Sequence, residues 1–443
     1  MADDPAPRTV DATGTVTVTD ADARKVAFGA FVGTALEWYD YFLFGTAASL
    51  VFNRLYFASD NPVVATAGAF ASFAVGFAAR PLGAILFGHL GDRIGRRKCL
   101  IITVAVIGVV TGLIGLLPDY FSIGVAAPVL LTLLRMLQGV AVGGEWGGAV
   151  TLAVEHAPKE HRGRYAAMPQ IGSPIGTLLS SGAFLAVSLM PAQTFDAWGW
   201  RIPFLAAFPL LYVAVWIRRR IEESPLFEQL LREDELATAP VRDVVVRTPV
   251  QLLVGAGSTL LGVGGFYLAT TFVISYGTGL GVSRSVMLTA TLVAAAVEIV
   301  VLIVGGRLAE RFGAGPVTLV GGLISAAFAF PMFWLIDTAN TALVILGVTA
   351  GVACLSIPYA VSGALLTDLF PAKLRYSGVA LSANIASVIS GFVPLIATAL
   401  LAASGGGSWT PSLLLVVIAL ITAACGAIAP ALSLAQDRVI ARP

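Results

Sequence analysis

The chain is short of charge. Of its 443 residues only 12% are Asp, Glu, Lys or Arg, about half of the roughly 25% usual in soluble domains, while 57% are hydrophobic. A soluble core could not hide that much apolar surface, and too few charges remain to coat one. A water-soluble globular enzyme is excluded on this ground, and the apolar content excludes a disordered chain. Neither sign of charge is in excess, because 27 Lys and Arg face 26 Asp and Glu. No basic surface is available for a polyanion, so nucleic acid is not a partner. Cysteine and histidine are equally scarce, at three each. Cys99, Cys354 and Cys425 lie in or beside apolar runs, with neither metal-ligand spacing nor a disulfide framework, and read as small buried hydrophobes. No His/Asp or Ser/His constellation forms and no nucleotide-binding sequence occurs, so neither an enzyme nor a direct ATP-driven device is expected, and no cofactor or metal is called for.

What the sequence has in quantity is long apolar runs. At about 20 residues per membrane-crossing helix, they divide into twelve spans. The first six are 26–52, 64–90, 98–117, 125–153, 163–190 and 199–217; the next six are 249–276, 285–306, 316–336, 342–367, 376–402 and 411–434. The expected fold is an all-α membrane protein of twelve transmembrane helices in two pseudo-symmetric six-helix bundles. Residues 1–23 read as a disordered cytoplasmic tail, 24–218 as the N-terminal bundle, 219–248 as a cytoplasmic linker, 249–434 as the C-terminal bundle and 435–443 as a second tail. The first 23 residues lack the basic start and apolar block of a secretory signal. Of the 27 Lys and Arg, only Arg54, Arg201 and Arg284 fall between spans on one side and only Arg80 and Arg135 within spans. The rest gather on the other side, which the positive-inside rule assigns to the cytoplasm together with both termini.

An internal repeat accompanies this pattern. Gly88-His-Leu-Gly-Asp92-Arg93-Ile-Gly95 follows the second span, and Gly306-Arg-Leu-Ala-Glu310-Arg311-Phe-Gly313 follows the eighth, at one constant offset. Glu155-His-Ala-Pro158 with Arg162 is echoed by Asp368-Leu-Phe-Pro371 with Arg375 at a slightly shorter offset. Six spans is an even number, so the two copies run the same way through the membrane, related by an axis along its normal.

These residues resemble the major facilitator superfamily. The run from Gly88 to Lys98 is similar to its signature after the second helix, and the narrower match is to the metabolite:proton symporters. That match rests on Gly33-Thr-Ala-Leu-Glu37-Trp38-Tyr39-Asp40-Tyr41, on Arg80-Pro81-Leu-Gly83-Ala, on Arg135-Met-Leu-Gln138-Gly139-Val-Ala-Val-Gly143-Gly144-Glu145-Trp-Gly147-Gly148 and on Glu223-Ser224-Pro225-Leu-Phe227. One departure is Thr34, where the family usually carries Asn. The resemblance implies a multi-pass plasma-membrane transporter, working as a monomer, that takes up a small carboxylate-bearing or zwitterionic metabolite with protons: dicarboxylates, citrate, shikimate-like acids, proline or betaine. It also implies that Gly88, Asp92, Arg93, Gly95, Arg96, Arg97, Glu310 and Arg311 latch the two halves in the outward-open state. A drug:proton antiporter of the same fold is the alternative, although Ile171-Gly-Ser-Pro174-Ile-Gly176 matches its fifth-helix signature only in part. A polytopic sensor or membrane enzyme is the alternative from another class.

Charges inside lipid are expensive and mark function by default. Glu37, Asp40, Arg80, Glu145 and Glu298 each lie on the order of 15–22 Å from the cytoplasmic end of their spans at 1.5 Å per residue, near the mid-plane of a ~30 Å layer. Arg135 lies further outward on the same helix as Glu145. Glu37 and Asp40 are three apart and share a helix face. Gln138 and Glu145 fall on the same stripe as Arg135. Arg80 and Glu298 are related by the repeat offset, so Glu298 is expected to face the cavity if Arg80 does. The proton-coupling candidates are therefore Glu37, Asp40, Arg135 and Glu145: one of the carboxyls would load from the acidic side and release to the cytoplasm. Arg80 and Arg135 are the candidate ligands for a substrate carboxylate, Arg80 ahead of Arg135, because a guanidinium offers two parallel hydrogen bonds. Tyr41, Gln138, Gln170, Tyr267, Glu298, Tyr359 and Asn384 complete the candidate substrate contacts. Trp38 is assigned to core packing, and Pro169, Pro174, Pro358 and Pro394 are points where spans can bend.

Overall fold

The computed structural model describes residues 20–83, 86–87, 96–143, 162–219, 240–371 and 374–440, and among them there is no strand. The long helices are α1 (Asp20–Ala47), α2 (Pro62–Ala78), α3 (Arg96–Leu116), α4 (Ala126–Val142), α5 (Arg162–Ser188), α6 (Ala207–Arg219), α7 (Pro249–Leu260), α8 (Arg284–Phe312), α9 (Ala314–Asp337), α10 (Thr341–Leu369), α11 (Arg375–Ala403) and α12 (Trp409–Ile440). Eight helical segments among the described residues are long and apolar enough to cross a membrane. Their outward faces carry large exposed apolar side chains such as Leu253, Val300, Trp334 and Leu346, which lipid rather than water accommodates.

Short polar caps start these helices. Asn61 accepts from the Val63 amide with Pro62 at the first helical position, Ser283 accepts from Val286, and Asn340 accepts from Ala342 and Leu343, each satisfying amides that have no partner within the helix. α8 and α9 are joined through Gly313 alone, whose φ of 84° is a conformation that side chains disfavour.

The helices pair in a repeating scheme. α1 packs on α5, α2 on α4 and α3 on α6; later in the chain α7 packs on α11, α8 on α10 and α9 on α12. Extensive contacts between α5 and α8, and between α2 and α11, join the earlier helices to the later ones. Glycines let backbones touch where small residues serve helix packing in lipid. A β-carbon on Gly139 of α4 would fall on the carbonyl of Gly76 in α2, and one on Gly76 would meet the Arg135 side chain. Gly139→Ala is accordingly expected to cost about 1–3 kcal/mol by overpacking, seen as a lower thermal midpoint in detergent; an unchanged midpoint would mean the two helices separate freely.

Several expected boundaries shift. α1 begins at Asp20, inside the expected tail, and its span ends in a π-helical stretch, Ala48–Phe52. The expected seventh span is not one regular helix: α7 runs into π-helical stretches at Leu261–Gly265 and Leu268–Phe272 before an α-helical Val273–Gly279. The cause is local. A side chain at Gly262 would strike the Tyr359 ring, and the Leu261 amide is taken up by Thr422 Oγ1 at 3.2 Å. Such π-bulges are frequent at functional sites. Within the expected linker, Pro240–Arg247 is helical, and Val244 is buried with Leu252, Leu366 and Phe370. α12 continues to Ile440, well into the expected tail. Pro358 and Pro394 lie inside helices as expected, and so do Pro331 and Pro430.

Candidate functional site

Two ion pairs cross the interior, both anchored on α1. Arg80 Nη2 donates to Glu37 Oε1 at 2.9 Å, and Nε donates to the Tyr41 hydroxyl at 3.0 Å. One turn away Arg135 Nη1 donates to Asp40 Oδ2 at 3.3 Å and to Gln138 Oε1 at 3.0 Å. Asp40 Oδ1 also accepts from Gln138 Nε2 at 2.8 Å and from the Thr111 hydroxyl. The two carboxyls share a face of α1, yet each has its own arginine, because α2 and α4 reach that face at successive turns.

Aromatic rings complete both arginine sites. The Arg135 guanidinium lies 4.4 Å from the centre of the Phe44 ring, 5.1 Å from Tyr41 and 5.3 Å from Phe73. Among the described residues its Nε and Nη2 have no hydrogen-bond partner, and ring faces stabilise the part of the cation that Asp40 does not reach. Arg80 stacks 4.7 Å from Tyr41 and 5.0 Å from Phe77.

A narrow cavity of about 30 Å3 opens beside the Arg80 pair, room for water rather than for a whole metabolite in this conformation. α1 and α2 contribute Glu37, Trp38 and Arg80. The broken seventh span contributes Thr259, Val263 and Tyr267, α10 contributes Tyr359 and Ser362, and α11 contributes Ala383, Asn384 and Ser387. Among the described residues, Trp38 Nε1 and the Tyr267 hydroxyl are buried with no hydrogen-bond partner and the Tyr359 hydroxyl has only Ser173 beside it, although all three side chains line this space. A bound polar molecule or water would satisfy them.

Beyond the cavity, after α1 and at the start of α8, polar contacts tie the helices together. Ser49 Oγ donates to the Thr271 carbonyl at 2.7 Å. Arg54 grips Asp196 with two hydrogen bonds of 2.9 and 2.8 Å, and Arg284 approaches the same carboxylate at 4.0 Å while stacking on Phe195.

The structure thus brings Glu37, Arg80, Tyr267, Tyr359 and Asn384 to one cavity. Tyr41 lies behind Arg80, and Asp40, Arg135 and Gln138 lie one turn from the cavity wall rather than in it. Gln170 is fully buried, donating to Ser362 Oγ at 2.9 Å. Glu298 differs from its expected position: it is fully buried and is not among the residues that line the cavity, on a helix that packs on α5 and α10. Trp38, assigned to packing, is a wall residue as well as a stacking partner of Phe42 at 5.3 Å. Glu310 and Arg311 are exposed at the end of α8, with Arg311 over the Phe312 ring. Gly88, Asp92, Arg93, Gly95 and Glu145 lie outside the described residues, and Arg96 and Arg97 begin α3 with side chains outside the description. Sequence reasoning missed Thr111, Thr259, Ser362 and Ser387. Hydroxyls are common on transmembrane helices, where each can bond its own backbone, so no local signal marked these four.

The Major Facilitator Superfamily model matches residues 30–353 and 258–440. The chain is 38% identical to the Shikimate transporter of Escherichia coli (strain K12), covering 90% of this chain and 93% of that one. It is 36% identical to the Inner membrane metabolite transport protein YhjE of the same strain, covering 84% and 87%. A partially occluded, inward-open form of the xylose transporter XylE from E. coli shares the fold, with a TM-score of 0.71 at 17% identity over 92% of this chain and 97% of that one. The chain belongs to the major facilitator superfamily. It is a secondary transporter with several membrane-spanning helices, and its relatives are transporters of small metabolites rather than enzymes.

Proposed function

We propose that this protein is a proton-coupled symporter that takes up a small carboxylate-bearing metabolite by alternating access. The observation that carries the reading is the placement of Arg80 in the wall of the cavity while a second, separate ion pair, Asp40–Arg135, lies one turn away. A substrate carboxylate can take Arg80 from Glu37, since both offer the guanidinium the same oxygen geometry. The displaced Glu37 carboxyl is then free to hold a proton, and Asp40 can do the same when Arg135 moves. A relative bears the name Shikimate transporter, and shikimate is a compact carboxylic acid whose hydroxyls suit Trp38, Tyr267 and Tyr359.

In this reading the chain crosses the plasma membrane twelve times with both termini in the cytoplasm. Two six-helix bundles, 24–218 and 249–434, rock about the cavity; the repeated helix pairing and the constant offset of the loop motifs support that division. With this orientation the Arg54–Asp196–Arg284 cluster closes the outside, and the cavity is reached from the cytoplasm, because Ala383, Asn384 and Ser387 lie nearer the Arg375 end of α11. The protein acts as a monomer. The loop residues Asp92 to Arg97 and their counterparts Glu310 and Arg311 hold the opposite, outward-open state.

The test is uptake of radiolabelled shikimate into proteoliposomes under an imposed proton gradient. Wild-type protein should accumulate it, and Glu37→Gln and Asp40→Asn should each lose accumulation while remaining monodisperse. Full gradient-driven accumulation by both variants would remove these carboxyls from coupling.

A further inference from the structure

Three carboxyl side chains are buried among the described residues: Glu37, Asp40 and Glu298. The first two face Arg80 and Arg135. Glu298 is 0% exposed, and neither of its oxygens has a hydrogen-bond partner among the described residues. A carboxylate removed from water with neither a cation nor a donor costs several kcal/mol even after the surroundings relax. The group needs a positive partner, and the smallest is a proton on the carboxyl itself. We propose that Glu298 carries a transported proton, as a site separate from Glu37 and Asp40 and located in the later half of the chain. The proposal rests on the symport reading and adds a second proton to it.

Its position gives it the means. Glu298 lies midway along α8, which packs on α5 and on α10. α5 precedes the central polar stretch and α10 follows it, so the carboxyl sits at a seam that rocking of the halves must open. α8 and α10 approach closely where Gly305 meets Ala360 and so move together, leaving α5 as the partner that slides. Across this seam Gln170 of α5 donates to Ser362 of α10 at 2.9 Å, while Gln170 Oε1 has no hydrogen-bond partner among the described residues. Tyr359 lines the cavity from α10, the helix on which α8 packs, and the proposed route from this carboxyl to cavity water passes along that helix.

Among the described residues, α10 brings the titratable groups Tyr359 and Cys354, with Asp368 exposed at its end, and α5 brings the uncharged Gln170. α9 and the Val273–Gly279 segment also touch α8, but their Asp337 and Tyr276 bond each other at 2.5 Å. The charged residues of α8 itself, Arg284, Arg307, Glu310 and Arg311, lie at its two ends. The step is simple: the carboxyl gives its proton to water when α5 swings away, and takes one from water when the seam opens on the other side of the membrane.

The experiment uses the full chain in proteoliposomes, with radiolabelled shikimate as the probe. At zero membrane potential each coupled proton multiplies the accumulation ratio by about tenfold per pH unit of gradient. Glu298→Gln should therefore flatten the plot of log accumulation against pH difference by one proton or more while retaining shikimate counterflow, and Glu298→Asp should keep the wild-type slope. A wild-type slope in Glu298→Gln overturns the proposal. If wild-type protein moves no shikimate, the symport reading fails with that probe, and infrared difference spectra at acid and alkaline pH decide the Glu298 assignment alone. A titrating carboxylic C=O band that Glu298→Gln removes and Glu298→Asp shifts supports it; a band absent from wild type, or unchanged in Glu298→Gln, overturns it.

Discussion

Arg135→Met is expected to cost about 3–5 kcal/mol of stability, the usual penalty for removing one partner of a buried ion pair. Asp40 is 4% exposed and accepts from Arg135, Gln138 and Thr111. Without the guanidinium it keeps two neutral donors and loses the charge that offsets its own. The rings of Phe44, Tyr41 and Phe73 would at the same time face a thioether instead of a cation. Combining Arg135→Met with Asp40→Asn should recover much of the loss, because the uncompensated charge is then gone. Thermal midpoints in detergent for the two single variants and the double variant form the cycle that measures the coupling. A midpoint for Arg135→Met equal to wild type would show that the pair contributes nothing to holding α1, α2 and α4 together. Transport should fail in the double variant even where stability returns, since the second ion pair of the proposed mechanism is missing.

The second large effect is expected at Arg80. It reaches Glu37 and Tyr41 through Nη2 and Tyr41 through Nε, and its side chain forms part of the cavity wall. Lysine keeps the charge but loses the planar fork, so it cannot hold a carboxylate with two parallel hydrogen bonds. Losing charge-assisted hydrogen bonds worth ~1.5–3 kcal/mol each should weaken shikimate binding by on the order of 100-fold in Arg80→Lys. Thermal stability should change much less, because the ammonium still lies beside Glu37. Isothermal titration or tryptophan fluorescence would read the affinity, Trp38 being a wall residue. Unchanged affinity for shikimate and for other carboxylates in Arg80→Lys would refute the substrate role and leave the Arg80–Glu37 pair as a helix fastener.

Much of this protein was legible in its sequence. The scarcity of charge and the length of the apolar runs require a lipid environment, where only closed hydrogen-bonding structures survive, and the loop motifs pointed to the superfamily that the comparisons then showed. The few charged residues inside spans were visible at once, because any charge stands out against an apolar background. Which of them meet was not visible. Glu37 and Asp40 share one face of α1, and linear spacing gives no reason why Glu37 should take Arg80 and Asp40 take Arg135. That choice depends on the levels at which α2 and α4 cross α1, set by contacts such as Gly76 against Gly139. The repeat offset made Glu298 the counterpart of Arg80 and suggested a common cavity. The structure gives them different surroundings, because Glu298 is fully buried in the helix packing while Arg80 lines the cavity. The π-helical break in the seventh span likewise follows from Tyr359 meeting Gly262, a contact between residues far apart in the chain. Composition and periodicity thus determined that the chain belongs in a membrane and where its costly charges lie. The partners of those charges, and the carboxyl left with none, were decided by the rotation and depth of packed helices, which depend on contacts that no local sequence pattern records.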